Sequence, residues 1–570
     1  MKIILRIVAF SFALVYLAGC SDFLDKDVLG YSTEENFFDT QYKLQTALNG
    51  VYDVLQSDMF NQCDWRFGEA TADDVWGNDE GMGRSMGELV QFRFKTSNEW
   101  IRNRYEINYE GVHRANQVIA NAHKVKLAIY DEPSIRGIRE ILGQAKFLRA
   151  LFYFNLVKTY GGVPIRPETE TMSKLIVPRS TAAEVYAYIE KDLREAAVML
   201  PAIFTDANAG KAGEGAAVAL LMKVLMYQAT PGERSEKWEE MMRLGEFFVD
   251  GKPMNYGEIL KFNTYQEEWN DFRLRLWLDH KEWKAEEKEK SSLTTTLREL
   301  STTYSLAYVS VNNRQLNDYG ATNAYVAQFY LPGEFCRGSI FEITFNESKD
   351  GTGGDLNEGD AIYTALFPNN DIYGAKPMYT REDIVSSLFR GDPRVLTIQA
   401  HMAILPDGEM AQLVPGLLFP LKWYTPLKEM PQYGGDNGKN RRLIRFAEVI
   451  LMYAEALNEC GEGARAMEQV NKNRAQANTI NGSGTLYVAG GYGYQRDQIW
   501  QERRAELAFE WDRFFDLVRQ KRAAEVIKAF GLARDNKRGF YFRKGVNEIF
   551  PIPQTEIDIS NGVIKQNPGY

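Results

Sequence analysis

The chain has 570 residues, a net charge of -10 at pH 7 and an aromatic content of 13%. An acidic chain without a concentrated basic face is not expected to bind nucleic acid, whose phosphates require clustered Lys and Arg side chains. Its four histidines share no metal-ligand spacing and its four cysteines form no CxxC pair, so we expect no metal centre, no cofactor and a fold that packing stabilises.

The N-terminus carries a secretory leader that ends in a lipidation signal. A basic start precedes an apolar run over 3–17, which closes with the sequence LAGC at Cys20. A membrane-spanning helix would need about 20 apolar residues and a polar stop, so residues 1–19 are predicted to be a cleaved signal peptide. Acylated Cys20 then anchors the protein to a bacterial membrane through a polar tether over 20–32.

Helical periodicity dominates residues 33–249. Apolar side chains recur every three to four positions in six stretches, over 33–55, 104–125, 135–159, 181–200, 215–228 and 235–248. Short turns join neighbouring stretches, which favours antiparallel helix pairs. The pattern is typical of stacked helical hairpins of the tetratricopeptide kind, although no strict repeat period occurs.

Residues 62–96 interrupt this pattern and predict a loop that mixes Gly, Asp and aromatic side chains. The candidate ligand-binding residues of this loop are Trp65, Arg66, Asp73, Asp74 and Trp76. Flat rings can cover the C–H faces of a sugar while charged groups bind its hydroxyls, so the loop predicts a site for a polyhydroxylated ligand. The alternative is that the tryptophans fill the core beneath the loop.

Residues 250–440 are rich in Gly, Pro and Tyr and predict a loop-rich region with one strand candidate over 339–345. Further ring contacts with the ligand are assigned to Trp277, Tyr304 and Tyr308. The charged run over 280–290 is typical of a solvated helical face. The acidic stretch over 350–360 offers hard oxygen ligands for calcium, but it lacks the EF-hand spacing and we assign no metal site there.

Residues 441–570 return to helical periodicity, with helices predicted from Arg441, over 464–477 and over 497–522. Acidic and basic side chains alternate along the last of these helices, at Glu502, Arg503, Glu506, Glu510, Arg513 and Asp516. Opposite charges three or four residues apart pair along a helix or across to its neighbour. We therefore interpret them as structural ion pairs and not as catalytic carboxylates.

Two short patterns raise the alternative of an enzyme. Residues 83–87 fit the GxSxG motif of a serine hydrolase, but that motif needs a preceding strand, which residues 77–82 do not predict. Glu69, Asp73 and Asp74 could supply the carboxylate pair of a glycoside hydrolase, but in a chain with 77 acidic residues such groupings arise without function. We expect a binding protein without catalytic residues.

Several sequence blocks carry a family resemblance that runs nearly end to end. They are CSDFLD from Cys20, FLRALFYFNLVKTYGGVPI (147–165), IFEITF (340–345), DPR (392–394), IRFAEVILMYAEALNE (444–459), VNKNRAQA (470–477), IWQERRAELAFEWDRFFDLVR (499–519), IFPIPQTEI (549–557) and the closing IKQNPGY. In this order and spacing they resemble the SusD/RagB family of Bacteroidetes outer-membrane nutrient-binding lipoproteins. A departure is Val28, where the family more often has Pro.

The resemblance implies a mostly α fold, a tetratricopeptide-like helix-pair superhelix with a loop-rich, minor-β ligand-binding region. It also implies exposure on the outer membrane and a partner, a SusC-like TonB-dependent transporter, for which the protein is a solute-capturing lid. Family motifs are scaffold residues and transfer no ligand role. The expected ligand is an oligosaccharide, with a peptide as the alternative. The loop over 482–494 is a candidate transporter-facing surface, or else an ordinary surface loop.

Overall fold

The computed structural model describes residues 37–75, 83–126, 132–166, 176–261, 296–306, 324–345, 380–389, 391–397, 402–404, 410–412, 417–418, 420–423, 437–478, 484–533 and 540–570. The predicted signal peptide over 1–19, the tether with Cys20, the charged run over 280–290 and the acidic stretch over 350–360 lie outside these residues. In the described part of the chain, no helix combines the length and hydropathy that a membrane span requires.

The N-terminal part is a succession of helices in which each long helix packs on the next. They are α1 (Gln41–Gln56), α2 (Asp58–Trp65), α3 (Arg84–Val90), α4 (Glu99–Asn121), α5 (Glu132–Tyr160), α6 (Ala182–Met199), α7 (Glu214–Gln228), α8 (Glu236–Phe248) and α9 (Tyr256–Leu260). Contacts join α4 to α5, α5 to α6, α6 to α7 and α7 to α8. The predicted mostly α fold with consecutive packed helices is confirmed.

Helix α7 lies at the centre of this stack. Its sequence EGAAVALLMKVLMYQ is apolar on every side, and residues from Glu214 to Met226 are all buried. A helix of this composition must be covered all round, and α5, α6 and α8 pack against it. Its cation, Lys223, ion-pairs with Glu448 at 3.0 Å and Asp512 at 2.9 Å, which offsets the cost of burying a charge.

The middle region adds short helices and three two-stranded antiparallel sheets. The elements are α10 (Ala324–Ala327), β1 (Ser339–Ile343), β2 (Thr380–Arg381), α11 (Glu382–Leu388), β3 (Met402–Ile404), β4 (Met410–Gln412), β5 (Leu417–Leu418) and β6 (Arg441–Arg445). Strand β1 pairs with β6, β2 with β5 and β3 with β4. The strand predicted over 339–345 is thus confirmed, and its partner comes from a segment that the sequence assigned to a helix.

The C-terminal part returns to helices that pack back on the N-terminal stack. They are α12 (Phe446–Glu459), α13 (Gly463–Asn478), α14 (Tyr492–Leu507), α15 (Arg513–Arg519), α16 (Ala523–Ala533) and α17 (Gln554–Ile559). Helix α12 contacts α7, α8, α13 and α14, which joins the two ends of the chain in one core.

The sequence-based boundaries are wrong at three places. Residues 441–445 form β6 and not the start of a helix, because they pair with β1 in the interior. The helix predicted over 497–522 breaks after Leu507, where Phe509 and Trp511 adopt positive φ angles of 66° and 71°. The loop predicted over 62–96 is partly helical, since α2 runs on into a π-helical turn, Arg66–Ala70, before α3.

Apart from Cys20, which lies outside the described residues, the chain has three cysteines, and these could form at most one disulfide. Cys63 is buried, and Cys336 and Cys460 are partly exposed. All three are free thiols, so the described fold is held by packing, hydrogen bonds and ion pairs.

A buried carboxyl at the first position of α7 makes stability depend on pH. Burial raises the pKa of Glu214 to about 8, and the Arg298 guanidinium, 3.6 Å away, counteracts burial only in part. The unfolded-state pKa is about 4.3, so between these values the folded state binds more protons and stability falls as pH rises.

We expect Glu214→Gln to remove this pH dependence and to stabilise the protein at pH 9 by on the order of 2 kcal/mol, because the amide needs no proton to stay neutral. Chemical denaturation between about pH 5 and 9 measures the effect. Glu236, exposed at the first position of α8, provides the matched control Glu236→Gln. If the unfolding free energies of wild type and Glu214→Gln changed with pH in parallel, Glu214 would not be the source of the pH dependence.

Candidate ligand-binding site

Most of the predicted ligand residues that the structure describes lie in the interior. Trp65 is 6% exposed, Asp73 5%, Asp74 0% and Tyr304 1%, and Arg66 is half-buried. Trp76, Trp277 and Tyr308 lie outside the described residues. Such deep burial of Trp65, Asp73, Asp74 and Tyr304 favours a role in packing. Their direct contact with a ligand stays a prediction.

Arg66 is held against two indole rings at the junction between α2 and α4. Its guanidinium carbon lies 3.6 Å from the centroid of the Trp100 ring and 5.1 Å from that of Trp65. Its Nη1 atom donates a hydrogen bond to the Gln62 carbonyl oxygen at 3.1 Å. Burial lowers the pKa of Arg66 to about 10. The cation–π contacts therefore stabilise the start of the predicted loop over 62–96, which we call the first loop.

Tyr304 packs beneath the N-terminus of α7. Its hydroxyl donates to the Ala202 carbonyl oxygen at 3.3 Å, and its ring lies 5.6 Å from that of Phe248. A Cβ atom on Gly215 would come within 2.4 Å of the Tyr304 ring. The ring is therefore enclosed by protein and fills the core at this position.

Asp73 and Asp74 bind two arginines of the C-terminal helices. Asp73 accepts from Arg513 Nε at 2.8 Å and from Arg504 Nη2 at 2.8 Å, and Asp74 accepts from Arg504 Nη2 at 2.6 Å. Burial opposes ionisation of Asp73, but the charges of Arg504 and Arg513 outweigh it and lower its pKa. These contacts fasten the first loop to α14 and α15, more than 400 residues further along the chain.

The carboxylates considered for a glycoside hydrolase are enclosed. Glu69 is 0% exposed and accepts a hydrogen bond from the Trp511 backbone N–H at 3.2 Å. Burial, and then the neighbouring Asp74, raises the pKa of Glu69. A glycosidase needs its two carboxyl groups on either side of a bound glycosidic bond. Asp73 and Asp74 are instead bound to arginines, and Glu69 is bound to a backbone N–H, which disfavours that role.

The alternating charges of α14 and α15 form buried ion pairs, as the sequence predicted. Arg394 is 0% exposed and binds Asp392 at 2.7 Å, Glu502 at 2.8 Å and Glu506 at 2.8 Å, and we call these four residues the Arg394 cluster. Similar pairs join Arg503 to Glu448 and Asp516, Arg445 to Glu506 and Glu510, and Arg519 to Glu455. These side chains stabilise the scaffold.

A cavity of about 550 Å3 opens beside the anchored loop, between α14, α15 and α16. Its cationic and aromatic lining consists of Arg496, Trp500, Arg504, Arg513, Lys521 and Arg522. A second cavity of about 260 Å3 shares Arg504 with it and is also lined by Asp73 and Phe530. Arg504 thus binds the first loop and lines both spaces, which makes this region the candidate binding site.

Trp500 is 6% exposed, and neither it nor the cavity arginines were among the ligand residues predicted from the sequence. A usable signal was present. Arg496, Trp500 and Arg504 are spaced four residues apart, which places them on one face of a helix. Nothing in the local pattern indicated that Arg513, at the start of α15, and Lys521 and Arg522, between α15 and α16, would lie at the same cavity, because this depends on how the helices pack.

Two family models match different parts of the chain. A family model described as "SusD family" matches residues 418–570, and one described as "Starch-binding associating with outer membrane" matches residues 22–226. SusD-like protein P2 of Formosa agariphila is 25% identical over 99% of both chains.

Solved structures show the same fold. A laminarin-binding SusD-like protein is 26% identical, with a TM-score of 0.66, over 93% of this chain and 100% of that one. Surface glycan-binding protein A from Bacteroides thetaiotaomicron, solved in complex with laminarihexaose, is 19% identical, with a TM-score of 0.65, over 93% of this chain and 99% of that one. With its helical core and these matches at both ends, the chain belongs to the SusD/RagB family.

Proposed function

We propose that this protein is a non-catalytic surface lipoprotein that captures a nutrient oligosaccharide and delivers it to a SusC-like TonB-dependent transporter. The observation that carries the proposal is the similarity, over 93% of the chain, to a SusD-like protein that binds laminarin. The description of the family model matched by residues 22–226 supports a place at the outer membrane. The lipidation signal at Cys20 supports an acyl anchor.

Two features of the described residues support binding without catalysis. Asp73 and Asp74 of the first loop are paired with arginines in the interior, which disfavours them as a hydrolase pair. The same pairs hold the chain up to Val75 against the C-terminal helices. In this proposal the rings of Trp76, Trp277 and Tyr308 stack against sugar faces.

Titration calorimetry of the mature chain with laminarihexaose, other neutral oligosaccharides and a peptide library tests the function. We expect saturable binding of at least one saccharide in the micromolar range and no release of reducing ends, because the protein holds glycans without cleaving them. Binding of peptides alone would support the peptide alternative. Cleavage of a bound glycan by the purified chain would contradict the proposal.

Trp76→Ala separates ring stacking from a general effect on the fold. Losing one stacked ring is expected to weaken saccharide binding about tenfold. Tyr42→Ala, which removes an aromatic side chain that is 81% exposed on α1, is the control. Equal affinities of Trp76→Ala and Tyr42→Ala would remove Trp76 from the proposed contact.

A further inference from the structure

We propose that the cavity between α14, α15 and α16 binds the anionic group, a sulfate ester or a carboxylate, of an acidic oligosaccharide. This inference rests on the proposed function and specifies its ligand class. It depends on the charges that line the cavity, on how their donors are oriented, and on the size of the space.

The cavity has more cations than the surrounding carboxylates neutralise. Of its arginines, Arg504 and Arg513 are neutralised by Asp73 and Asp74. Among the described residues, Arg496 has one ion pair, a long one with Asp497 at 4.0 Å, and no ion pair is found for Arg522 or Lys521. Glu525 attracts Arg522 from a greater distance. The cavity therefore keeps positive charge that can bind an anion, in a protein whose net charge is -10.

The indole of Trp500 orients two of these cations. The guanidinium carbons of Arg496 and Arg522 lie 4.8 Å and 5.6 Å from its ring centroid. The Trp500 Nε1 atom donates to Glu455 Oε1 at 2.9 Å, which fixes the ring. A guanidinium over a ring keeps its N–H groups for other acceptors, and a fixed pair can bind an oxyanion in a preorganised way.

One of these donors is buried without an acceptor. The Nε atom of Arg496 is shielded from solvent and has no hydrogen-bond partner in the described structure. A buried donor of this kind is costly unless an acceptor approaches from the cavity. Burial, and then repulsion from Arg513, lowers the pKa of Arg522, which is the electrostatic effect that a bound anion would relieve.

The volume of the cavity and the helix N-terminus beside it fit a sugar with a charged substituent. A volume of about 550 Å3 lies within the range of small-molecule sites and exceeds the needs of a single inorganic ion. Helix α16 begins after Arg522, whose carbonyl accepts from the Val526 N–H at 3.0 Å. The helix dipole gives this end of α16 a positive potential, which Glu525 in its first turn partly offsets.

The test compares acidic and neutral probes on the mature chain. Calorimetry with tetragalacturonate, a sulfated carrageenan tetrasaccharide and neutral laminarihexaose measures the preference, and the acidic probe that binds identifies the anionic group. We expect one acidic probe to bind at least tenfold more tightly than laminarihexaose. Its affinity should fall as NaCl is raised from 50 to 500 mM, because salt screens charge pairs at a partly open site.

The variants Arg496→Gln and Arg522→Gln are each expected to reduce the acidic-over-neutral preference about tenfold, since each removes one charge-assisted contact. Arg102→Gln, at an exposed position on α4 paired with Glu106, is the matched control and should leave the preference unchanged. Thermal melting verifies that each variant is folded.

Acidic probes that bind no better than laminarihexaose, or a preference that survives the Arg496→Gln/Arg522→Gln double variant, would overturn the inference. Binding of neutral saccharides alone would leave the proposed function standing. Failure of every saccharide would reject both.

Discussion

Replacement of Arg394 by Met is expected to lower the free energy of unfolding by about 3–5 kcal/mol, the usual cost of leaving buried charges without their partner. Arg394 is fully buried and binds three carboxylates. Burial opposes ionisation of Arg394, but the charges of Glu502 and Asp392 outweigh it and raise its pKa, so it stays charged in the folded state. Met fills similar space but cannot neutralise Asp392, Glu502 and Glu506.

Denaturant unfolding followed by circular dichroism measures this effect. Arg84→Met is the matched control, because the Arg84 side chain is 85% exposed and, among the described residues, forms an ion pair only with Glu88 along α3. Surface pairs of that kind contribute about 0–1 kcal/mol, so the control should unfold almost like wild type. Similar losses of unfolding free energy in the two variants would mean that the Arg394 cluster does not stabilise the fold as proposed.

The substitution Gly68→Ala is also expected to lower the stability of the protein strongly. It tests the contact between the first loop and the helix break after α14. A Cβ atom at Gly68 would lie 1.6 Å from the Trp511 carbonyl oxygen and 2.5 Å from its carbonyl carbon. Neither backbone can move freely, because the Trp511 N–H binds Glu69 and its φ is 71°. We expect a destabilisation of about 3 kcal/mol or more, since overpacking against backbone has no easy relaxation.

Gly50→Ala provides a control of opposite sign. Gly50 lies within α1, and a Cβ atom there meets nothing within 4 Å. The substitution should stabilise the protein by about 0.5–1 kcal/mol, because alanine favours helix and restricts the unfolded chain. Thermal melting of both variants measures the pair. A Gly68→Ala protein that melts with wild type would show that the loop and the helix break are not in contact.

The candidate site, too, could be predicted only in part from the sequence. Aromatic and acidic residues between 62 and 96 were selected from composition, but Trp65 is buried, and Asp73 and Asp74 are buried against distant arginines. The local pattern could not reveal this, because the partners Arg504 and Arg513 come from the other end of the chain. The helical spacing of Arg496, Trp500 and Arg504 was visible, but the cavity they line needs α15 and α16.

Local sequence determined the helices and their succession, because the apolar spacing that buries one face of α1 or α8 is a property of the chain itself. It also indicated that the charges of α14 would pair. Only the tertiary structure decided that residues 441–445 join β1 as a strand, that the last long helix breaks at Phe509 and Trp511, and which carboxylate each arginine binds. Those outcomes depend on contacts between segments that are distant in the sequence, and such contacts override local preference.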